Sequence, residues 1–146
     1  LSLLPMRMKG HQSGAQAISE WLEAQPQVTR VIYPGLTSHP QYDLAQDQMS
    51  NTSGMISFQV GDAATGRKIA QQMIDRLKIV HYAVSLGHHR SLIFWMETQG
   101  LMDTSFHLSG VQLESYRSYA GDGVFRMSVG LEDPEDLIRD LSVALS

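Results

Sequence analysis

The sequence contains no cysteine, so neither a disulfide nor a thiolate metal site is available to it. Lysine is scarce. Lys9, Lys68 and Lys78 stand against eight arginines, and these basic residues are scattered rather than gathered into a stripe. Fifteen acidic residues bring the net charge to -4, which argues against a nucleic-acid or anionic-membrane partner. No apolar run approaches the length of a membrane span. Gly-x-x-x-x-Gly-Lys-Ser, Gly-x-Gly-x-x-Gly and Gly-x-Ser-x-Gly are all missing, so phosphate-loop, dinucleotide and hydrolase-elbow readings have no support. None of the six histidines stands in a His-x-Glu or His-x-x-x-His spacing, and the adjacent His88 and His89 point apart, so no metal site is expected.

What is present describes one folded domain over residues 1–146. Hydrophobic content is 42% and charged content 18%, enough for a real core. Leu1-Ser2-Leu3-Leu4-Pro5-Met6-Arg7-Met8 reads as the entry to a helix already under way, so a longer parent protein is expected, with processing at a new N-terminus as the alternative. The lack of cysteine is compatible with a cytoplasmic protein, which is the expected location.

Periodicity predicts about five helices and five strands. Met8, His11, Ala15, Ile18 and Leu22 mark a helix from about Met6 to Ala24, ended before Pro26. Val28–Tyr33 reads as a strand closed by Pro34-Gly35, and Tyr42–Met49 as a short helix. Met55–Val60 alternates, with Ile56, Phe58 and Val60 on one face. Asp62 caps the next helix, whose inner face is Ile69, Ala70, Met73, Ile74 and Leu77. Ile79–Ser85 and Ser91–Met96 read as strands joined by too short a link for a helix, hence antiparallel or offset neighbours. Gln99–Ser109 reads as a loop and Gln112–Tyr119 as a polar helix closed by Gly121. Asp133 and Pro134 open a last helix with Leu137, Ile138, Leu141, Ala144 and Leu145 inward. The expected class is α+β, a mixed α/β layer with one mainly antiparallel sheet and helices mostly on one face.

Two residues stand out chemically. In Gly123-Val124-Phe125-Arg126-Met127-Ser128-Val129-Gly130, alternation puts Phe125, Met127 and Val129 on one face and Val124, Arg126 and Ser128 on the other. A strongly apolar strand thus aims one guanidinium away from its own core, an arrangement suited to a carboxylate or phosphate. The alternative is a salt-bridged surface arginine. Ser85, in Ala83-Val84-Ser85-Leu86-Gly87, ends an apolar strand with a hydroxyl. It is either an ordinary strand end or a group facing a ligand.

An ordered set of segments then carries a resemblance. It comprises Leu4-Pro5-Met6-Arg7-Met8, Val31-Ile32-Tyr33-Pro34-Gly35-Leu36 with Ser38-His39-Pro40, and Gly54-Met55-Ile56-Ser57-Phe58. It continues with Ala83-Val84-Ser85-Leu86-Gly87, Ser91-Leu92-Ile93 and Arg126-Met127-Ser128-Val129-Gly130-Leu131-Glu132-Asp133. Over nearly its whole length the chain resembles the C-terminal domain of the pyridoxal-phosphate-dependent trans-sulfuration enzymes, the Cys/Met metabolism family. It looks nearer the methionine γ-lyase, cystathionine γ-lyase and cystathionine γ-synthase branch, since bacterial cystathionine β-lyases often carry tryptophan after the serine of the Ser-Leu-Gly segment.

The resemblance implies the small domain of a fold-type-I enzyme of methionine and cysteine metabolism. Such an enzyme carries out γ- or β-elimination or replacement on methionine, cystathionine or an O-acylhomoserine. By motif match, Arg126 grips the substrate α-carboxylate and Ser85 assists there. Pyridoxal 5'-phosphate serves as the electron sink and is bound by a large domain outside this sequence, since none of the three lysines has the Ser/Thr-rich context of the family's cofactor lysine. The 146 residues alone are therefore expected to be inactive. The implied partners are the amino-acid substrate, the chain's own large domain and further copies in a homotetramer built as a dimer of dimers. A stand-alone, non-catalytic carboxylate-binding module is the alternative. Where many relatives continue from Ser-Leu-Ile with His-Pro-Ala-Ser-Met-Thr-His, this chain has Phe94-Trp95-Met96-Glu97-Thr98-Gln99-Gly100, which marks a divergent substrate side.

Overall fold

The structure, a computed structural model, describes all residues 1–146. Its elements are α1 (Leu4–Glu23), β1 (Arg30–Ile32), α2 (Tyr42–Gln48), β2 (Met55–Gln59), α3 (Ala63–Arg76), β3 (His81–Tyr82), β4 (Leu92–Glu97), α4 (Thr98–Met102), α5 (Gly110–Ala120), β5 (Gly123–Ser128) and α6 (Pro134–Leu145). The strands form one sheet in the order β1-β2-β5-β4-β3, antiparallel except for β3 against β4. The last strand of the sequence therefore lies in the middle of the sheet. The expected α+β class, with one mainly antiparallel sheet, holds.

The inner face of the sheet follows the period-two pattern. Ile56 and Phe58 from β2, Ile93 from β4, and Phe125, Met127 and Val129 in and just after β5 are all fully buried or nearly so. Phe58 stacks on Phe125 at 5.2 Å between ring centroids, and Trp95 tilts against the other side of Phe125 at 5.0 Å. Helices α1, α3 and α6 cover this face with Ala15, Ile18 and Leu22, with Ile69, Ala70 and Met73, and with Leu137, Leu141 and Ala144. A glycine is required where α3 crosses Trp95, because a Cβ on Gly66 would fall inside the indole ring. The predicted caps form: Asp62 accepts from the Thr65 amide and Asp133 from the Glu135 amide. That bond from Thr65 holds the Asp62 carboxyl below its ordinary value. Tyr33, buried between α1 and the loop before β2, pairs its phenol with Thr52 Oγ1 and donates to the Ser53 carbonyl. Burial pushes its pKa up.

Several expectations need correction. The strand read over Ile79–Ser85 shrinks to His81–Tyr82. The amides of Lys78, Ile79 and Val80 turn away from the sheet and donate to the carboxylate of Asp140 on α6 at 2.8–3.2 Å. One buried acid thus takes three consecutive backbone donors before the strand begins. β3 also runs parallel to β4, not antiparallel. The segment between them does not turn as a hairpin; it loops outward and is pinned to the end of β5, so β4 re-enters in the original direction. With only two residues in β3 the crossover has little distance to cover. Within the stretch read as loop, Thr98–Met102 forms a short helix. It is fixed where Thr98 donates its amide to the Asp122 carbonyl and its hydroxyl to the Gly121 carbonyl. Ile74 of α3 is mostly exposed rather than inward.

Asp140→Ala leaves three backbone donors without their acceptor and is expected to cost roughly 2–4 kcal/mol of stability, read from denaturant midpoints. Asp140→Asn, which keeps one acceptor oxygen, is expected to cost less.

Candidate functional site

The outer face of the sheet carries the chemistry. Because β5 is central, Arg126 has strand neighbours on both sides: Ser57 of β2 and Phe94 of β4. Arg126, Ser57 and Phe94 are all half-buried. Arg126 forms no salt bridge and donates no side-chain hydrogen bond within the chain; the ion pairs present involve Arg67, Arg117 and Arg139. The guanidinium carbon lies 4.5 Å from the centroid of the Phe94 ring, and Nε is buried without a partner. The expectation of an outward guanidinium therefore holds, and within this chain it has no acidic partner.

Ser85 lies on the loop between β3 and β4, and the chain organises this loop from a distance. The Gly87 amide donates to Ser128 Oγ at 3.0 Å, and Ser128 shares the Arg126 face two residues along β5. Arg7, from the first turns of α1, donates to the Gly87 carbonyl at 2.9 Å. Farther along, Glu132 accepts from both the amide and the hydroxyl of Ser91, at 2.7 and 2.8 Å. Ser91 Oγ in turn accepts from the Gly130 amide, and the Leu131 amide donates to the His89 carbonyl. These contacts bring the Ser85 loop to the end of β5. Ser85 itself is exposed, and its hydroxyl makes no hydrogen bond inside the chain.

A cavity of about 320 Å³ opens beside this junction, lined by Arg7, His11, Met55, Leu86, Gly87 and Ser128 among others. His11 Nδ1 is 2.7 Å from the Val129 carbonyl, which fixes the proton on that nitrogen and ties α1 to the end of β5. Desolvation, followed by the positive charges of His89, Arg90 and Arg7, holds His88 below its ordinary pKa. A larger hollow of about 530 Å³ lies along the free edge of β1. Its charged groups are already engaged: Arg30 donates to the Ser118 and Tyr119 carbonyls, and Glu23 accepts from Ser38.

Lys9 on α1, Lys68 on α3 and Lys78 beyond α3 are all exposed. α3 covers the inner face of the sheet, and Lys9 lines a shallow hollow with Gln12, Ser13 and Gln16 of its own helix. None of the three lysines lies on a strand of the sheet. The His88 and His89 rings do not point apart as expected but lie 4.0 Å from each other between centroids; no three His, Asp or Glu side chains gather as metal ligands, and no helix is long and apolar enough to cross a membrane.

The sequence alone does not mark Arg7, Phe94, Ser128 or Glu132 as individual site residues. Ser128 was within reach, since alternation places it on the Arg126 face. Glu132 and Ser91 find each other across 41 positions, and no local pattern signals that.

Fold and site together define a small α+β domain that spends its inner sheet face on a core and keeps an unpaired cation on the outer one. The model of the family described as Cys/Met metabolism PLP-dependent enzyme matches residues 1–146, and the chain belongs to that family. Mouse cystathionine γ-lyase is 38% identical over 145 residues, covering 99% of this chain and 34% of its own length. O-succinylhomoserine sulfhydrylase of Pseudomonas aeruginosa is 36% identical over 146 residues, covering all of this chain and 34% of its own. The structure of cystathionine γ-synthase from Xanthomonas oryzae, in complex with aminoacrylate and cysteine, superposes with a TM-score of 0.76 at 31% identity, covering 98% of this chain and 35% of that one. The chain thus spans about a third of the length of the relatives it matches.

Glu132→Gln is expected to loosen the Ser85 loop without unfolding the sheet. Weakening a charged double contact should speed amide hydrogen exchange over residues 87–92 by about 10- to 100-fold. Exchange in β2 and β5 should stay at the wild-type rate.

Proposed function

We propose that this chain is the substrate-carboxylate-binding small domain of a pyridoxal-phosphate-dependent enzyme of sulfur amino-acid metabolism. The reaction class is elimination or replacement at the γ- or β-carbon of methionine, cystathionine or an O-acylhomoserine. The observation that carries the reading is the free guanidinium of Arg126, held on a central strand with no acid to neutralise it. A planar fork with no internal partner suits the two oxygens of an amino-acid carboxylate. Ser85, on the loop tethered through Gly87 to Ser128, is the second group assigned to that carboxylate. Together they fix the orientation of the substrate, a positioning role.

The cofactor falls to the remainder of the enzyme, since none of the three lysines of this chain has the Ser/Thr-rich context of the family's cofactor lysine. The same remainder is the partner proposed for the outer face of the sheet. Assembly as a dimer of dimers and a cytoplasmic location complete the proposal, the first from the family resemblance and the second from the lack of cysteine.

The test is steady-state kinetics of the full-length enzyme with methionine, cystathionine and an O-acylhomoserine. Arg126→Ala is expected to cost roughly 2–5 kcal/mol of transition-state binding. That is a fall on the order of 30- to 5,000-fold in kcat/KM. Arg126→Lys should recover only part of this, and Ser85→Ala should cost about 1–2 kcal/mol. Cofactor content should stay at the wild-type level in all three. An Arg126→Ala enzyme within twofold of wild type on every substrate would overturn the assignment and return the chain to a module without this role.

A further inference from the structure

An unpaired arginine on an open sheet face has a problem of its own. Its long side chain is free to swing, and ordering it costs conformational entropy at the moment a ligand binds. The usual remedy is a carboxylate neighbour, but a carboxylate would occupy the same in-plane donors that a ligand needs. The structure shows a different solution. Phe94 lies directly across from Arg126 in the β4–β5 register, and its ring sits under the guanidinium at 4.5 Å. It is the one directional contact that the guanidinium makes in the chain. Nε is buried and cannot be approached, so the accessible donors are the terminal Nη groups, whose hydrogens lie in the guanidinium plane.

We propose that Phe94 is a positioning residue for Arg126: its ring holds the guanidinium by a cation–π contact, covers one face, and leaves the in-plane Nη pair free for a carboxylate. The inference rests on the carboxylate reading of Arg126 and adds to it the group that orders that arginine. It also explains why an apolar aromatic stands half-exposed on the outer face at the point where the chain departs from the motif of many relatives. An aromatic face attracts the cation without competing for its hydrogen-bond donors.

The test is isothermal titration calorimetry on the full-length, cofactor-loaded enzyme with L-norleucine and with L-norleucinamide, which differ at the carboxylate. The ratio of the two affinities reads carboxylate recognition and is insensitive to general loss of binding. Phe94→Leu is expected to lower that ratio by about 3- to 30-fold, the range of a cation–π contact. Phe94→Trp should keep it or raise it. Phe94→pentafluorophenylalanine preserves shape and packing but inverts the ring's charge distribution, so it should behave like Phe94→Leu even if the leucine variant folds poorly. A fluorinated enzyme with the wild-type ratio would overturn the proposal. If the fluorinated enzyme keeps the wild-type ratio while Arg126→Ala brings it to about one, the carboxylate reading survives and the role of Phe94 alone fails. If Arg126→Ala leaves the ratio unchanged, the carboxylate reading fails and this inference falls with it.

Discussion

The structure depends on one constraint: β5 must serve two opposite surfaces at once. A strand at the centre of a sheet has hydrogen-bonded neighbours on both sides, so its backbone has no freedom to rotate or slip. Phe125, Met127 and Val129 lock into the core formed with α1, α3 and α6. A one-residue slip would bury Arg126 there and expose three core residues. The packing energy of the inner face therefore doubles as the aiming device of the outer one. At about 25 cal/mol per Å² of buried apolar surface, each of those three side chains contributes on the order of 2 kcal/mol to keeping the register.

Around this strand the chain uses polar side chains as clamps on backbone groups. Asp140 collects the amides that lead into β3, Glu132 and Ser91 join the loop before β4 to the end of β5, and Ser128 holds Gly87. Each clamp supplies an acceptor to backbone donors that the sheet leaves unpaired. Their combined effect is to bring the Ser85 loop, which has little apolar packing of its own, to the same strand that carries Arg126. Order at the site thus derives from hydrogen bonds between loops, while order in the core derives from burial.

The division explains what could be read from the sequence. Alternation in β5 is a local pattern with a single charge in it, so the opposed faces are legible in the sequence alone. The same holds for the caps at Asp62 and Asp133 and for the inward stripes of α1 and α6. The truncation of β3 was not legible, because the amides of residues 78–80 are satisfied by an acid at least 60 positions away. The parallel pairing of β3 and β4 depends on loop anchors in Ser128 and Glu132 that leave no trace near residues 83–91. α4 is too short to show a helical period. At the site, Arg126 was visible as an anomaly within its own strand. Phe94 as its neighbour required the register between β4 and β5, which a single sequence does not carry.

The central claim is that Arg126 is kept unpaired in order to receive a carboxylate. The most direct measurement is a crystal structure of the full-length enzyme with bound L-norleucine. The account predicts both carboxylate oxygens at about 2.7–3.1 Å from the Nη atoms of Arg126, with the Phe94 ring still against the guanidinium face. A carboxylate held by other groups, with Arg126 paired instead to an aspartate or glutamate from the rest of the enzyme, would contradict it.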